Sequence, residues 1–404
     1  MKQRLDDLAV FGGAPTFPEP LHVGRPNVGD RQRLLARIND LLDRRWLSNN
    51  GPFVQEFERL VAEREGVRHC IAMCNGTVAL EIAIRAAGLS GEVIVPSMTF
   101  VATAHALEWQ QITPVFCDVD PKTYTLDPRQ VEALITPRTT GIIGVHLWSQ
   151  PCDVEALARV PAEHRLRLLY DAAHVFASSY RGRMIGGFGD ASVFSFHATK
   201  FFNTFEGGAV VTDDDDLART MRLMKNFGFA GYDRVIHVGT NGKMSEISAA
   251  MGLTGLETLD EVVAVNRENY HAYRDALAGV PGLTLLDYDE RERCNFQYVV
   301  LDVDAGAAGI SRDGLISVLW AEHVLARRYF YPGCHRMEPY RTRFPDVGRR
   351  LPATERLVER MLTLPTGTAL DVAGVQQIAG IVGFAVRHGR AISDRLRARS
   401  SRPA

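Results

Sequence analysis

Long apolar runs, an imbalance of charge, paired cysteines and lysine are all scarce or missing in this sequence of 404 residues. No stretch reaches the roughly 18 uninterrupted apolar residues that cross a bilayer. The N-terminal MKQRLDDLAVFGGAP has no apolar core of the kind a signal peptide needs. The 46 basic and 48 acidic side chains leave a formal net charge of −2, so no overall field draws nucleic acid or an acidic membrane. Cys70, Cys74, Cys117, Cys152, Cys294 and Cys334 form no CxxC pair, which argues against a zinc knuckle and a disulfide scaffold. These absences predict a reduced, cytoplasmic protein with no nucleic-acid or membrane partner. Absent too are a GxGxxG after the first strand, a GxxxxGK[ST] loop and a GxSxG elbow, the marks of dinucleotide, nucleotide and serine-hydrolase chemistry.

Lysine is the informative scarcity. The 46 basic residues include only Lys2, Lys122, Lys200, Lys225 and Lys243, so each can be weighed singly. Lys2 is terminal, Lys122 follows Asp120-Pro121 in a turn, and Lys225 and Lys243 have polar helical surroundings. Lys200 alone sits among apolar and aromatic neighbours, in ASVFSFHATKFFNTFEGGAVVT. An unpaired ammonium there is costly, and burial favours the neutral amine that attacks carbonyls. A snorkelling surface lysine is the ordinary alternative.

What is present, 46% hydrophobic and 23% charged residues, matches an ordinary soluble globular protein of two or three domains. Apolar spacing predicts a helix over residues 31–45. Short apolar strands are expected at 69–73, 92–96, 114–118, 140–146, 167–171 and 191–196, alternating with helices such as 77–87 and 102–110. That alternation predicts a mostly parallel sheet flanked by helices, with ligands beyond the carboxyl ends of the strands. One long helical region is expected over 243–278, then an α+β tail with a strand at 296–302 and a helix near 312–322. The division expected is an N-terminal arm (1–34), a large domain (35–260) and a small C-terminal domain (261–404). The arginine-rich C-terminus reads as a solvated helix, or more weakly as a site for an anionic partner.

The candidate chemistry follows the strands. CNGTVALEIAIRA places Asn75, Gly76 and Thr77 at a helix start, where free amides and the helix dipole receive a phosphate; simple capping is the alternative. Asp171, in LLYDAAHVF, closes a strand and either faces a ligand or caps a helix. Asp171 with His174 lacks the further ligands of a metal site, so no metal is expected. Trp109 and Trp148 read as packing residues, Trp148 also being placed to line a pocket. A phosphate cradle, an aromatic at Phe100, a carboxylate and a reactive lysine, in that order, are the set pyridoxal phosphate requires.

At this point the sequence resembles a known family. SFHATK with EGGAVVT, DAAH, PSMTFVAT and GTNGKMSEISAAMGL look like the DegT/StrS family of pyridoxal-phosphate-dependent sugar aminotransferases. The resemblance runs from WLSNNGPFVQEFE to LTLPTGTAL. It implies an α/β, aspartate-aminotransferase-like fold (fold type I), with a large domain built on a mostly parallel mixed sheet plus a smaller α+β C-terminal domain. It also implies a homodimer with shared active sites. By matching positions, it gives Lys200 the Schiff base and proton shuttle, Asp171 the pyridinium nitrogen, His174 the neighbourhood of the phenolic oxygen and Phe100 the ring face. Gly76, Thr77 and Ser195 would hold the phosphate, with Asn241 reaching over from the other subunit. Phe201 stands where most members have Asn. Relatives that dehydrate sugars replace the lysine with histidine, so Lys200 favours amination.

FGG, LHVGRPN, WLSN, GVHLW, NFGF and RRYFYPGCHRMEPYR resemble the 4-aminotransferases acting on TDP-4-keto-6-deoxyglucose in deoxyaminosugar pathways of secondary metabolism, antibiotic biosynthesis among them. L-glutamate would be the donor and pyridoxamine phosphate the carrier of the amino group. Arg327, Arg328, Tyr329 and Tyr331, near His335, and the Ser48–Asn50 loop are candidate sugar-nucleotide contacts. A 3-keto sugar aminotransferase and a non-catalytic binding member are the alternatives.

Overall fold

The computed structural model describes residues 2–400. Helices α1 (Arg31–Arg44) and α2 (Pro52–Glu65) lead into a sheet of seven strands: β1 (His69–Met73), β2 (Glu92–Pro96), β3 (Thr113–Cys117), β4 (Thr139–Val145), β5 (Arg167–Asp171), β6 (Ala191–Ser195) and β7 (Gly208–Thr212). Their order across the sheet is β1-β7-β6-β5-β4-β2-β3. All pairs are parallel except those of β7, which runs antiparallel to both β1 and β6. Helices α3 (Gly76–Ala86) and α4 (Ala102–Glu108) follow β1 and β2.

The strands are apolar on both faces because helices cover both. Cys70 and Ala72 of β1 enter one core with Phe57 and Val61 of α2, whereas Ile71 and Met73 enter the opposite core with Leu80 and Ile84 of α3. Alternate side chains of a strand point to opposite faces, so a doubly covered sheet needs a continuous apolar run. The expected sheet class is therefore the one found.

The expected helix over 243–278 is two helices, α5 (Glu246–Glu257) and α6 (Leu259–Leu277). Thr258 leaves helical geometry at φ −114°, ψ 10°, and Ser245 starts α5 by accepting from the Ser248 amide. Beyond α6 a three-stranded sheet (Leu283–Leu285, Val299–Val303, Met361–Leu364) packs with α7 (Arg312–Ala321), α8 (Pro352–Arg360) and α9 (Val372–Arg387). The strand expected at 296–302 begins only at Val299, Phe296 having a positive φ of 48°.

We keep 1–34, 35–260 and 261–404 as a proposed division, although α1 already begins at Arg31. The first part of the arm lies on the small domain. Leu8 is buried in its core, Glu322 accepts from the Ala9 and Thr16 amides, and Leu21–His22 pairs with Val324–Leu325. The C-terminal helix Gly389–Ser400 is tied down as well: Arg395 pairs with Asp6 and Arg399 donates to the Val10 carbonyl. Arg402 lies outside the described residues. No helix among the described residues is long and apolar enough to cross a membrane.

Candidate active site

Four loops leave the sheet at the same edge. β1 ends at the start of α3, β2 at Ser97–Phe100, β5 at Asp171, and β6 at Ser195 and the loop bearing Lys200. The topology thus gathers the residues singled out from the sequence at the carboxyl ends of parallel strands, where open α/β sheets bind ligands.

Asn75 caps α3, its Oδ1 accepting from the Val78 amide at 2.8 Å. The cap and the phosphate reading are compatible: the Gly76 and Thr77 amides belong to the first turn, which no helix satisfies internally. Gly76 sits directly against Ser195. A Cβ added at Gly76 would lie 2.9 Å from Ser195 Cβ and 3.2 Å from its Oγ. This is a space only glycine leaves open, beside a hydroxyl and a helix N-terminus. Gly76→Ala is expected to weaken pyridoxal phosphate binding on the order of tenfold to a hundredfold, the cost of overpacking a rigid contact. Equilibrium dialysis on cofactor-free protein measures it, and unchanged affinity would remove Gly76 from the cradle.

Asp171 is half-buried. Its Oδ2 accepts from Thr103 Oγ1 at 2.8 Å and its Oδ1 from the Ala173 amide at 3.2 Å. Burial raises its carboxyl above the ordinary range, while Thr103, Ala173 and the charge of Lys200 pull the other way. Thr103 in turn bonds Thr99 at 2.9 Å. Loss of water brings the Lys200 amine down to about 8, against the opposing pull of Asp171. His174 is buried, its pKa held well below the usual histidine value by burial and by Lys200. Its Nδ1 accepts the Trp148 amide proton at 3.3 Å, so the neutral ring carries its proton on Nε2 and offers a donor there. Phe100 is 58% exposed beside Phe330, ring centroids 6.2 Å apart, and Phe330 stacks on His174 at 5.8 Å.

These residues fit pyridoxal phosphate: a carboxylate for a ring nitrogen, an amine of lowered pKa, an open aromatic face, and a glycine-floored helix start for a phosphate. Among the described residues the metal-spaced group is Glu132, Glu163 and His164, which includes neither Asp171 nor His174. A cavity of about 580 Å³ lined by Arg37, Glu56, Arg64 and Arg293 borders none of the candidate residues.

Several expectations change. Lys225 does close a helix among polar partners, but it is buried: it is 8% exposed and bonds Glu58 at 2.8 Å and the Ala72 carbonyl at 3.1 Å. Lys243 is not helical; it bridges Met73 and lies 4.6 Å over the Phe227 ring. Trp109 is 82% exposed and so is no packing residue, while Trp148 is fully buried behind His174. Asn241 is exposed, its carbonyl 3.9 Å from Cys74 Sγ of its own chain. Phe201 turns into the core. Arg328 is paired with Asp313 at 2.6 Å, and His335 is buried with both ring nitrogens engaged, which leaves Arg327, Tyr329 and Tyr331 as the freer candidates.

Three contributors were not read from sequence. Thr103 orients Asp171. Asn27 latches the arm to the lysine loop, donating to the Phe201 carbonyl at 2.7 Å and accepting from Asn203 at 2.8 Å; LHVGRPN, which contains it, was the available signal. Glu65 holds the loop after Asp171 by accepting from the Ala177 amide at 2.9 Å and the Gly186 amide at 3.1 Å, and burial pushes its carboxyl up to about 7.

Residues 29–383 match the family described as DegT/DnrJ/EryC1/StrS aminotransferase. The chain is 34% identical over 363 residues to the dTDP-4-amino-4,6-dideoxy-D-glucose transaminase of Escherichia coli, covering 89% of this chain and 97% of that one. It is 37% identical over 363 residues to the GDP-perosamine synthase of Caulobacter vibrioides, covering 89% and 96%. Among solved structures it is similar to DesI with its TDP-sugar product, at TM-score 0.92 and 51% identity, over 98% of this chain and 100% of that one.

Proposed function

Because this chain belongs to the DegT/DnrJ/EryC1/StrS aminotransferase family, we propose that it moves an amino group from L-glutamate to the 4-keto carbon of TDP-4-keto-6-deoxyglucose. It is a pyridoxal-phosphate-dependent sugar aminotransferase; the donor, the sugar position and the nucleotide are our reading. The observation that carries it is the convergence of Lys200, Asp171 and the Gly76–Ser195 cradle at one sheet edge, in a chain 51% identical to a protein solved with a TDP-sugar product.

Bound pyridoxal phosphate supplies an aldehyde carbon to carry the amino group and a ring that accepts electrons from the donor's α-carbon. The chain's own residues do the rest. Lys200 Nζ, its pKa brought down to about 8 by burial, would take the proton from the glutamate α-carbon and deliver it to the cofactor carbon that carries the amino group. Asp171, aimed by Thr103, holds a positive charge at the ring nitrogen. His174 offers Nε2–H to the phenolic oxygen, and Gly76, Thr77 and Ser195 hold the phosphate. Phe100 covers the ring face. In the sugar half of the reaction Lys200 runs the same proton transfers in reverse.

A homodimer with shared sites is part of this proposal. Trp46, Leu47, Phe227, Phe229, Val235 and Val238 are each 40–70% exposed, and an apolar surface of that extent suits a partner. Asn241 lies on the same 226–241 hairpin, bridged to Asn226, where it can serve a neighbouring subunit's phosphate. Six free cysteines suit the reducing cytoplasm. Service in deoxyaminosugar biosynthesis for secondary metabolites follows from the substrate.

Purified protein should show a visible cofactor band that L-glutamate converts to the pyridoxamine form. Adding TDP-4-keto-6-deoxyglucose should restore the band and yield a sugar aminated at carbon 4, read by mass spectrometry and NMR. Amination at carbon 3, or no reaction with this sugar, would overturn the substrate assignment.

A further inference from the structure

The mechanism leaves unused a buried serine and a buried histidine in hydrogen-bonded line with a half-buried glutamate. Ser97, directly after β2, is fully buried, and its Oγ lies 2.7 Å from His335 Nδ1. His335 is 4% exposed, and its Nε2 lies 2.8 Å from Glu355 Oε1 on α8. The ring is reversed relative to a serine-hydrolase triad, where Nε2 faces the serine, and Ser97 has no access to solvent. Nucleophilic chemistry is therefore excluded.

The His335 amide donates to Ser97 Oγ at 3.1 Å. The Glu355 carboxylate can only accept, so His335 Nε2 carries a proton toward it, and in the neutral ring the Ser97 hydroxyl donates to Nδ1. The neighbouring Cys334 amide donates to the Ser97 carbonyl at 3.0 Å, and Cys334 Sγ reaches the Thr99 carbonyl at 3.4 Å. Glu355 cannot drift, because Asp118, just past β3, accepts from the Ala353 and Thr354 amides at 2.8 Å and so caps α8 from the large domain.

Two walls of the active site hang on this relay. One residue beyond Thr99 is Phe100; five residues before His335 is Phe330, which stacks on His174 and faces Phe100. We propose that His335 is a positioning residue that, through Ser97, fixes the spacing between Phe100 and the Tyr329–Tyr331 wall and so orders the sugar half of the reaction. The proposal rests on the function assigned above.

The test uses Ser97→Ala, His335→Gln and His335→Asn. Asparagine places its amide where Nδ1 stands and keeps the Ser97 link; glutamine reaches Glu355 and loses it. Ser97→Ala and His335→Gln should raise KM for TDP-4-keto-6-deoxyglucose about tenfold or more and leave the single-turnover reaction with L-glutamate within about threefold; His335→Asn should stay near wild type. In cofactor-free protein, hydrogen exchange of peptides covering 327–339 should be about tenfold faster in the first two variants only. Equal losses in all three variants, equal losses in both half-reactions, or unchanged exchange would overturn the relay. A wild-type enzyme inert toward this sugar would fail the functional assignment alone, and the exchange measurement would still decide the relay.

Discussion

Lys200→Ala should lower transamination by at least about 10⁴-fold, while the variant still binds pyridoxamine phosphate through the remaining cradle. The residue loses two roles at once: the amine that holds the cofactor covalently and the base that moves the proton, the latter alone being worth roughly 10²–10⁴-fold. Among the described residues no second lysine is placed to replace it. Lys225 is committed to Glu58 and the Ala72 carbonyl, and Lys243 lies over Phe227. The lowered pKa gives a second reading. A lysine attacks an aldehyde only as the neutral amine, whose fraction grows with pH up to the pKa. With the Lys200 pKa at about 8, the rate at which cofactor-free protein captures pyridoxal phosphate should rise about tenfold per pH unit below 8 and level off above it. An ordinary lysine, at 10.5, would still be accelerating at pH 9. Stopped-flow absorbance over pH 6–9.5 separates the two.

Asp171→Asn should lower turnover on the order of 10²–10³-fold, the scale of losing one preorganised charge partner. The substitution is nearly isosteric, so the bonds from Thr103 and Ala173 give a way to separate charge from shape. Thr103→Val removes the orienting hydroxyl and leaves the carboxylate, and its loss should be smaller. Asp171 also acts on the lysine. Its negative charge favours the ammonium form and raises the Lys200 pKa against the lowering by burial. Without that charge the pKa should fall, and the levelling-off of cofactor capture should move below pH 8. A plateau that stays in place or moves up would show that the two groups do not share a field.

How much of this was legible beforehand follows the range of the interactions involved. The strand from His69 to Met73 can be read because alternate residues must satisfy cores on both faces, and that demand is written in five adjacent letters. The start of α3 can be read because Asn75 caps an amide three residues on. The order of phosphate cradle, aromatic, acid and lysine can be read because each must directly follow a strand. The family resemblance then supplied roles that spacing alone left open.

Tertiary structure decided whatever depends on layers meeting. Thr103 reaches Asp171 across 68 residues and Ser97 reaches His335 across 238. Neither pair has a local pattern, since each exists only because two loops leave the sheet at one edge or because the small domain folds back onto it. Lys225 illustrates the same limit: Glu58, 167 residues away, and the carbonyl of Ala72 draw it inward, and no local pattern announces either partner. The sequence determined the sheet, the chemistry-bearing residues and their order, because periodicity and capping act over a few residues. The fold decided which of them are buried, paired and aimed, because desolvation and hydrogen-bond geometry belong to the assembled layers.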